Sequence, residues 1–158
     1  MSLFSFPALV NERAARLVAT GVASLLVASL ALHQTWMVPA LAVGFLLRVG
    51  WGPKVSPLAR TAVRFADRFG EPKLVAGSPK RFAQGIGAAC TIAATALYAV
   101  GAGTAANAVV GAVVVFALLE ATIAFCMGCW IYGQLQRVGL VSPSVCIDCA
   151  PSSVRREV

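Results

Sequence analysis

Hydrophobic residues are not spread evenly along the chain but concentrate in four long segments. Within each segment apolar side chains follow one another almost without interruption, whereas the stretches between them are short or rich in Arg and Lys. About 20 consecutive apolar residues cross a lipid bilayer as one helix. The pattern therefore predicts four membrane-spanning helices, at about residues 17–34, 37–51, 81–102 and 106–132.

The second segment is short for a span and contains a charged residue. Trp36 and Trp51 flank it, as aromatic residues commonly do at the two interfaces of a membrane. Arg48 lies within it. An unpaired charge in hydrocarbon is costly, so we expect the long Arg48 side chain to reach the membrane surface.

Between the second and third segments, the spacing of apolar residues becomes that of an amphipathic helix. The apolar positions are Val55, Leu58, Ala62, Phe65 and Phe69, and the basic positions on the other side are Arg60, Arg64 and Arg68. Such a helix lies in the membrane surface, where its basic side chains contact anionic headgroups. We therefore expect an interfacial helix here.

The composition agrees with an integral membrane protein and excludes other classes. Of the 158 residues, 59% are hydrophobic and 12% are charged, whereas a soluble domain has about 25% charged residues. The formal net charge is +7. The basic residues precede the first segment, fill the central loop and follow the fourth segment, so membrane topology accounts for them. No nucleic-acid partner is predicted.

The positions of Lys and Arg also predict the orientation in the membrane. The turns His33–Trp36 and Gly103–Asn107 contain neither residue, and cytoplasmic loops are enriched in both. Both termini and the central loop are therefore expected in the cytoplasm, and the protein in a bacterial inner membrane. The predicted fold is all-α: a four-helix membrane bundle over residues 1–135 with an interfacial helix between spans two and three, and a cytoplasmic tail over residues 136–158.

The start of the third segment has the features of a helix N-terminus that binds an anion. Ser78 is a favourable N-cap, and Pro79 suits the first helical position. The free N–H groups of such a terminus attract oxyanions. Lys80 and Arg81 stand beside them. Ser78, Lys80 and Arg81 are therefore a candidate site for a lipid phosphate or a small oxyanion.

The cysteines are the strongest indication of chemistry. Four of the five form two C-x-x-C pairs, Cys126 with Cys129 at the end of the fourth segment and Cys146 with Cys149 in the tail. Both pairs are expected in the cytoplasm, where permanent disulfides are rare, so dithiol redox chemistry or metal binding is indicated. If the fourth helix continues to Tyr132, the first pair lies at its C-terminus, where the helix dipole disfavours a thiolate.

The spacing of the four cysteines fits two uses. An unconstrained pair in the tail beside a fixed pair at the membrane is suited to relay electrons or sulfur, and this interpretation is favoured. The alternative is one zinc ion bound by Cys126, Cys129, Cys146 and Cys149, because the gap between the pairs lies in the range of roughly 15 to 20 residues found in four-cysteine zinc sites. No other cofactor is predicted: the single His, His33, lies at the outer end of the first span, and no haem or quinone site is indicated.

Two further residues of the spans carry reactive side chains. Glu120 is the only acidic residue within a predicted span, and an ionisable group at that depth is a functional candidate. On one ideal helix it lies on the opposite side from Cys129, so its partner is expected to be Gln84, Tyr98 or a residue of a neighbouring helix rather than a thiol. Cys90, within the third segment, is expected to serve only in packing.

Several motifs together resemble a family of small, four-span bacterial inner-membrane proteins of the domain-of-unknown-function type. The motifs are Val10-Asn11-Glu12 with Arg16, Gly52-Pro53-Lys54-x-Ser56-Pro57-Leu58-Ala59-Arg60, Pro79-Lys80-Arg81-Phe82-Ala83-x-Gly85-Ile86-Gly87, Glu120, and Phe125-Cys126-x-Gly128-Cys129-Trp130-x-Tyr132-Gly133. The resemblance covers about residues 7–135 and implies no activity. In actinobacteria such genes often lie beside those of a thioredoxin-like protein and a sulfurtransferase, which implies partners of these two kinds.

The function favoured by the sequence is a thiol-disulfide redox or sulfur-transfer relay at the cytoplasmic face of the membrane. Two alternatives stay open: a scaffold protein with a structural four-cysteine zinc site, and a small oxyanion transporter or channel that uses Lys80, Arg81 and Glu120. The lipid bilayer is the surrounding medium in all three. The sequence indicates neither an oligomeric state nor a substrate.

Overall fold

Helices make up most of the part of the chain that the structure describes. The structure is a computed structural model, and it describes residues 8–52, 55–66, 68 and 73–141. Within these residues there are six helices: α1 Glu12–Ala31, α2 Met37–Trp51, α3 Pro57–Ala66, α4 Gly77–Ala99, α5 Gly103–Ile123 and α6 Met127–Arg137. Two short strands, β1 Leu9–Asn11 and β2 Leu74–Ala76, form an antiparallel sheet.

Three of the helices are long and apolar enough to cross a membrane. They are α1, α4 and α5, with 20, 23 and 21 residues. Helix α2 is apolar but has 15 residues, which corresponds to a length of about 22 Å, less than the ~30 Å of a hydrocarbon core. Helices α1, α4 and α5 begin before the predicted spans, because polar first turns are helical too.

The small sheet corrects the all-α prediction. Val10 pairs with Val75 at the centre of the sheet, and the amide of Glu12 donates to the carbonyl of Lys73 just beyond it. Strands of three residues show no readable alternation, and their pairing joins segments far apart in the sequence. The sheet ties the start of α1 to the start of α4.

The sheet also explains why Ser78 is not an N-cap, contrary to the prediction. Helix α4 begins at Gly77, and the residue before it, Ala76, makes no side-chain cap. The amide of Gly77 instead donates to the carbonyl of Ala8 at 2.8 Å. Backbone pairing thus replaces the cap that the sequence suggested.

The core lies where α1, α2, α4 and α5 meet. Helix α2 packs along α4, and α5 packs against both α1 and α4. The core side chains are Val18, Val22, Leu26, Val38, Leu41, Phe45, Ala59, Ala62, Ala88, Ala94, Val110 and Val114. Most of them are small or β-branched, which allows the close approach of helices that is typical of membrane bundles.

The amphipathic helix exists, and two of its predicted apolar positions, Leu58 and Ala62, pack against the core. Helix α3 packs against α1 through three alanines, Ala59, Ala62 and Ala66. Phe65 is 56% exposed and Val55 is also exposed, while Phe69 lies outside the described residues. The small alanine side chains allow α3 to pack against α1, whereas Phe65 is not part of the core.

Helix α5 ends sooner than predicted, and this changes the position of the thiols. Ala124 follows it in the left-handed conformation, with φ of 59°. The Arg16 guanidinium donates to the last carbonyls of α5, at 2.9 and 3.0 Å to Ala121 and 2.7 Å to Thr122. Carbonyls at a helix end need such partners. The prediction of one helix through Tyr132 was therefore wrong, because a residue over one hundred positions away caps α5.

Five basic residues of α1, α2 and α4 gather at one end of the bundle, which we call the basic end. Arg13, Arg16, Arg48, Lys80 and Arg81 define it. Arg16 contacts the end of α5, and Arg81 donates to the carbonyl of Val49 near the end of α2. The starts of α1 and α4 and the ends of α2 and α5 thus meet at the same end.

Candidate functional site

The thiols of Cys126 and Cys129 lie at the N-terminus of α6. Cys126 is the N-cap residue. Its Sγ accepts hydrogen bonds from the backbone N–H of Cys129 at 3.4 Å and from the Cys129 thiol, with 2.7 Å between the two sulfur atoms. The sequence placed this pair at a helix C-terminus, and that was wrong because α5 ends at Ile123. The positive end of a helix dipole now faces Cys126.

The two thiols differ in acidity. The hydrogen bond from the Cys129 thiol lowers the pKa of Cys126. The same bond raises the pKa of Cys129, since its proton is held between the sulfurs, and burial raises it further. A helix N-terminus in a C-x-x-C motif favours a thiolate in the same way. The thiolate of the reduced pair therefore belongs to Cys126.

Helix α6 is held against α4 by two close contacts. A Cβ atom on Gly128 would lie 2.5 Å from the Cα and Cβ atoms of Ala83, so only glycine fits at this position. The rings of Phe82 and Tyr132 pack with their centroids 5.6 Å apart. These contacts fix the pair of cysteines next to the start of α4.

An ion pair lies beside the thiols. Nζ of Lys80 is 2.5 Å from Oε1 of Glu120, and the two side chains are 11% and 17% exposed. Their charges act on the Cys126 thiol in opposite directions: Glu120 raises its pKa and Lys80 lowers it. Lys80 belongs to α4, so Glu120 has a partner on a neighbouring helix, as one of the predicted alternatives had it, and not Gln84 or Tyr98. The predicted separation of Glu120 from the thiols was wrong, because the thiols do not continue its helix.

The predicted anion-binding residues are divided by the structure. Ser78 and Arg81 line a pocket of about 610 Å³ together with Tyr132. Lys80 points elsewhere and is neutralised by Glu120. The three residues therefore do not form one anion site.

Arg48 does not reach the membrane surface, contrary to the prediction. It is 4% exposed. Its Nε donates to Oε1 of Gln84 at 2.7 Å, its Nη1 donates to Oγ of Ser56 at 3.2 Å, and the guanidinium lies 4.5 Å from the centre of the Phe45 ring. Partners from α4 and from the residue before α3 thus make burial possible. Gln84 was expected as a candidate partner of Glu120, but in the structure it accepts a hydrogen bond from Arg48.

A cavity of about 370 Å³ opens beside the thiols between α1, α4, α5 and α6. Cys126 and Glu120 line it at the basic end, and Cys90 lines it deeper in the bundle. Cys90 thus faces a space that the sequence did not reveal. The one available signal in the sequence was the number of small residues in α4, of which Gly87 lines the cavity.

The second C-x-x-C pair, Cys146 and Cys149, lies outside the described residues. Within the described ranges, no group of three or more His, Cys, Asp or Glu side chains is placed to hold a metal ion. The relay and the zinc site, which both need the tail pair, remain predictions.

Helices of this length and composition define a helical protein able to cross a membrane more than once. The chain belongs to the family described as Domain of unknown function (DUF4395), which matches residues 10–137. This match confirms the resemblance to a family of unknown function. The comparisons with curated proteins and with solved structures gave no match.

Proposed function

We propose that this chain is a multi-pass protein of the bacterial inner membrane whose Cys126/Cys129 pair carries out thiol–disulfide exchange at the cytoplasmic face. The observation that supports it most directly is the cap of α6. There the sulfur of Cys126 accepts two hydrogen bonds from Cys129. A thiolate with a second thiol beside it is the arrangement that this chemistry requires.

The arrangement in the membrane follows from the positions of charge. Helices α1, α2, α4 and α5 are the four spans, and the basic end faces the cytoplasm, because cytoplasmic segments are rich in Arg and Lys. The short helix α2 is accommodated by local thinning of the bilayer or by its neighbours. Helix α3 places Phe65, which is 56% exposed, at the lipid surface.

The exchange reaction assigns different roles to the two sulfurs. In the oxidised protein, a partner thiolate attacks Sγ of Cys129, which is less buried than Cys126. The Cys126–Cys129 bond breaks, and Cys126 leaves as a thiolate, which its lowered pKa favours. The second thiol of the partner then displaces Cys129 from the mixed disulfide. The partner becomes a disulfide, and the chain becomes a dithiol.

The partner is a cytoplasmic protein with a dithiol, of the thioredoxin-like class. Trp130, next to Cys129, is 54% exposed and offers an apolar contact at the site of exchange. A sulfurtransferase is the second kind of partner, because a cysteine that exchanges disulfides also accepts sulfur as a persulfide. In both cases Cys146 and Cys149 are the proposed exchanging pair, which carries electrons or sulfur between the partner and the Cys126/Cys129 pair.

The test is a count of thiols in the purified full chain. The protein, in detergent, is equilibrated with mixtures of reduced and oxidised glutathione, alkylated and analysed by mass spectrometry, with zinc measured on the same sample. We expect reversible loss of two or four thiols without zinc, and a peptide containing the Cys126–Cys129 disulfide. Cys90→Ser is the matched control and leaves this result unchanged, whereas Cys126→Ser and Cys129→Ser each abolish that disulfide.

Two outcomes contradict the proposal. If Cys126 and Cys129 remain thiols at every glutathione ratio, the pair is not a redox pair. If four thiols are protected and one zinc is present per chain, the four-cysteine zinc site is correct instead.

A further inference from the structure

The cavity beside Cys126 is not needed for exchange with a soluble partner. It lies between helices that we propose to be spans, and the sulfur of Cys129, where the partner attacks, is not part of its lining. Two of its lining residues, Ala112 and Phe116, are exposed on α5. The cavity is therefore open toward the hydrocarbon, and Cys126 stands between it and the cytoplasmic thiol.

The lining of the cavity defines the kind of molecule that fits. Its volume of about 370 Å³ lies within the range of about 300–1,000 Å³ for small-molecule sites. Most of the lining is apolar or small, with Ala19, Val22 and Val113 as examples. Hydrogen-bonding side chains, Gln84 and Glu120, occur at the basic end next to Cys126. The ligand is thus apolar, enters from the membrane and carries its polar atoms at one end.

The redox chemistry proposed for Cys126 and Cys129 restricts further which molecules fit the cavity. A cytoplasmic dithiol is surrounded by reduced thiols, so its oxidation requires an acceptor from outside that pool. An acceptor in the membrane must be apolar and take two electrons. A quinone meets both conditions, and the amide nitrogen of Gln84, whose oxygen already accepts from Arg48, can donate to one of its carbonyl oxygens.

We propose that the cavity binds a membrane quinone, which oxidises the Cys126/Cys129 dithiol. This inference rests on the proposed function, since it needs a pair that cycles between dithiol and disulfide. It gives the chain a direction: electrons pass from a cytoplasmic dithiol through Cys129 and Cys126 to the membrane.

The reaction balances without a further oxidant or reductant. An S–S bond forms between the Cys126 thiolate and the Cys129 thiol, and the pair gives up two electrons and the proton of Cys129. The solvent supplies the second proton, which Cys126 had lost on becoming a thiolate. The quinone takes both electrons and both protons on its two oxygens and becomes the hydroquinone. The Lys80–Glu120 ion pair stands beside the sulfurs, and Glu120 lines the cavity. It is therefore placed to pass a proton from the thiols to the nearer quinone oxygen.

Cys90 provides a direct test of binding. A full-length variant with Cys126, Cys129, Cys146 and Cys149 changed to Ser keeps Cys90 as its single thiol. It is placed in phosphatidylcholine–phosphatidylglycerol vesicles and alkylated with N-ethylmaleimide. Duroquinone, whose fully methylated ring cannot add thiols, should slow the alkylation of Cys90. Durene, the same ring without carbonyls, should not. Equal protection by both compounds, or protection by neither, overturns the proposed quinone site.

The redox test uses wild-type protein in the same vesicles. Duroquinone should convert the reduced pair to the disulfide with one hydroquinone formed per disulfide. Ala112→Phe narrows the cavity at its exposed rim and should slow this reaction by up to about 100-fold, the cost of misplacing reacting groups by about 1 Å. Ala108→Phe is the matched control: it is exposed on the same helix, one turn earlier, and does not line the cavity.

The outcomes separate this inference from the proposed function. If oxidised glutathione forms the disulfide and duroquinone does not, the quinone proposal fails and thiol exchange stands. If Ala112→Phe reacts with duroquinone as fast as Ala108→Phe does, the cavity is not the site. If neither oxidant forms the disulfide, the proposed function fails and the inference fails with it.

Discussion

Arg48 and Lys80 are two buried cations at the basic end, and their positive charges have different kinds of partner. Measured over the whole residue, backbone included, Arg48 is 4% exposed and Lys80 is 9% exposed. The neighbours of Arg48 are neutral: an amide oxygen, a hydroxyl and an aromatic ring. Lys80 instead forms an ion pair with Glu120. Arg48 and Lys80 are therefore buried to nearly the same extent, and they differ in whether the partner of the side chain is neutral or charged.

The difference separates a structural cation from one that influences chemistry. The planar, delocalised guanidinium of Arg48 suits several neutral acceptors at once, and it joins α2 to α4 and to Ser56, just before α3. One of its nitrogens, Nη2, has no hydrogen-bond partner among the described residues. The compact ammonium of Lys80 is matched by a carboxylate and acts, together with it, on the Cys126 thiol. Arg48 thus holds helices together, whereas the Lys80–Glu120 pair sets the environment of the sulfur.

The largest expected effect comes from breaking the ion pair on one side only. Glu120→Leu leaves Lys80 buried without an anion and should lower the free energy of unfolding by about 3–5 kcal/mol. The double variant Lys80→Met/Glu120→Leu should recover most of this loss, because no lone charge remains. The measurement is denaturant unfolding of the purified protein in detergent micelles.

Arg48→Met is the comparison for that experiment. It removes a charge that has no carboxylate partner and leaves Gln84 without its donor, so we expect a smaller loss of about 1–3 kcal/mol. A double variant no more stable than Glu120→Leu would contradict the distinction drawn between the two cations. So would an Arg48→Met variant that is less stable than Glu120→Leu.

A smaller effect is expected where α6 meets α4, the contact that brings the thiols to Lys80. Gly128→Ala forces a Cβ to within 2.5 Å of Ala83 and should cost about 1–3 kcal/mol as overpacking. Gly133→Ala on the same helix meets nothing within 4 Å, and it should stabilise by about 0.4–1 kcal/mol through the unfolded chain. Denaturant unfolding of both variants checks this, and equal losses in both would contradict the close contact at Gly128.

The sequence predicted the helices better than the ends of the helices. Each of α1, α2, α4 and α5 overlaps one of the long apolar segments, because burial in lipid or protein demands continuous apolar sequence. The end of α5 was not predictable in this way. No Gly or Pro follows Ile123 directly, and the partner that caps the helix, Arg16, comes from the start of the chain.

That one helix end decides how much of the site the sequence could predict. Cys126 and Cys129 were identified from their spacing, and Glu120 from its charge in an apolar segment. Their relation to each other was predicted wrongly, because a continuous helix puts Glu120 and Cys129 on opposite sides. The Lys80–Glu120 pair was within reach of sequence reasoning, since buried ionisable residues of opposite sign tend to pair.

The smallest expected change in free energy is a shift in the pKa of Cys126. It is the most direct test of the difference between Lys80 and Arg48. The hydrogen bond from Cys129 lowers the pKa of Cys126, with Glu120 opposing and Lys80 assisting. The rate of Cys126 alkylation should therefore rise at higher pH in Lys80→Met, where the pKa of Cys126 increases. It should rise at lower pH in Glu120→Gln, where that pKa decreases. Lys80→Arg, which keeps the positive charge, should show the same pH dependence of Cys126 alkylation as the wild type.

Arg48→Met should leave this pH profile where it is, because Arg48 is not among the groups that act on the Cys126 thiol. The profile is measured by iodoacetamide alkylation of the reduced protein, with Cys126 followed by mass spectrometry. Lys80→Met and Glu120→Gln both break the ion pair, so a purely structural disturbance would move both profiles in the same direction. If the two pH profiles move in opposite directions, the charges of Lys80 and Glu120 are the cause. If both profiles move in the same direction, Lys80 has only a structural role, as Arg48 does.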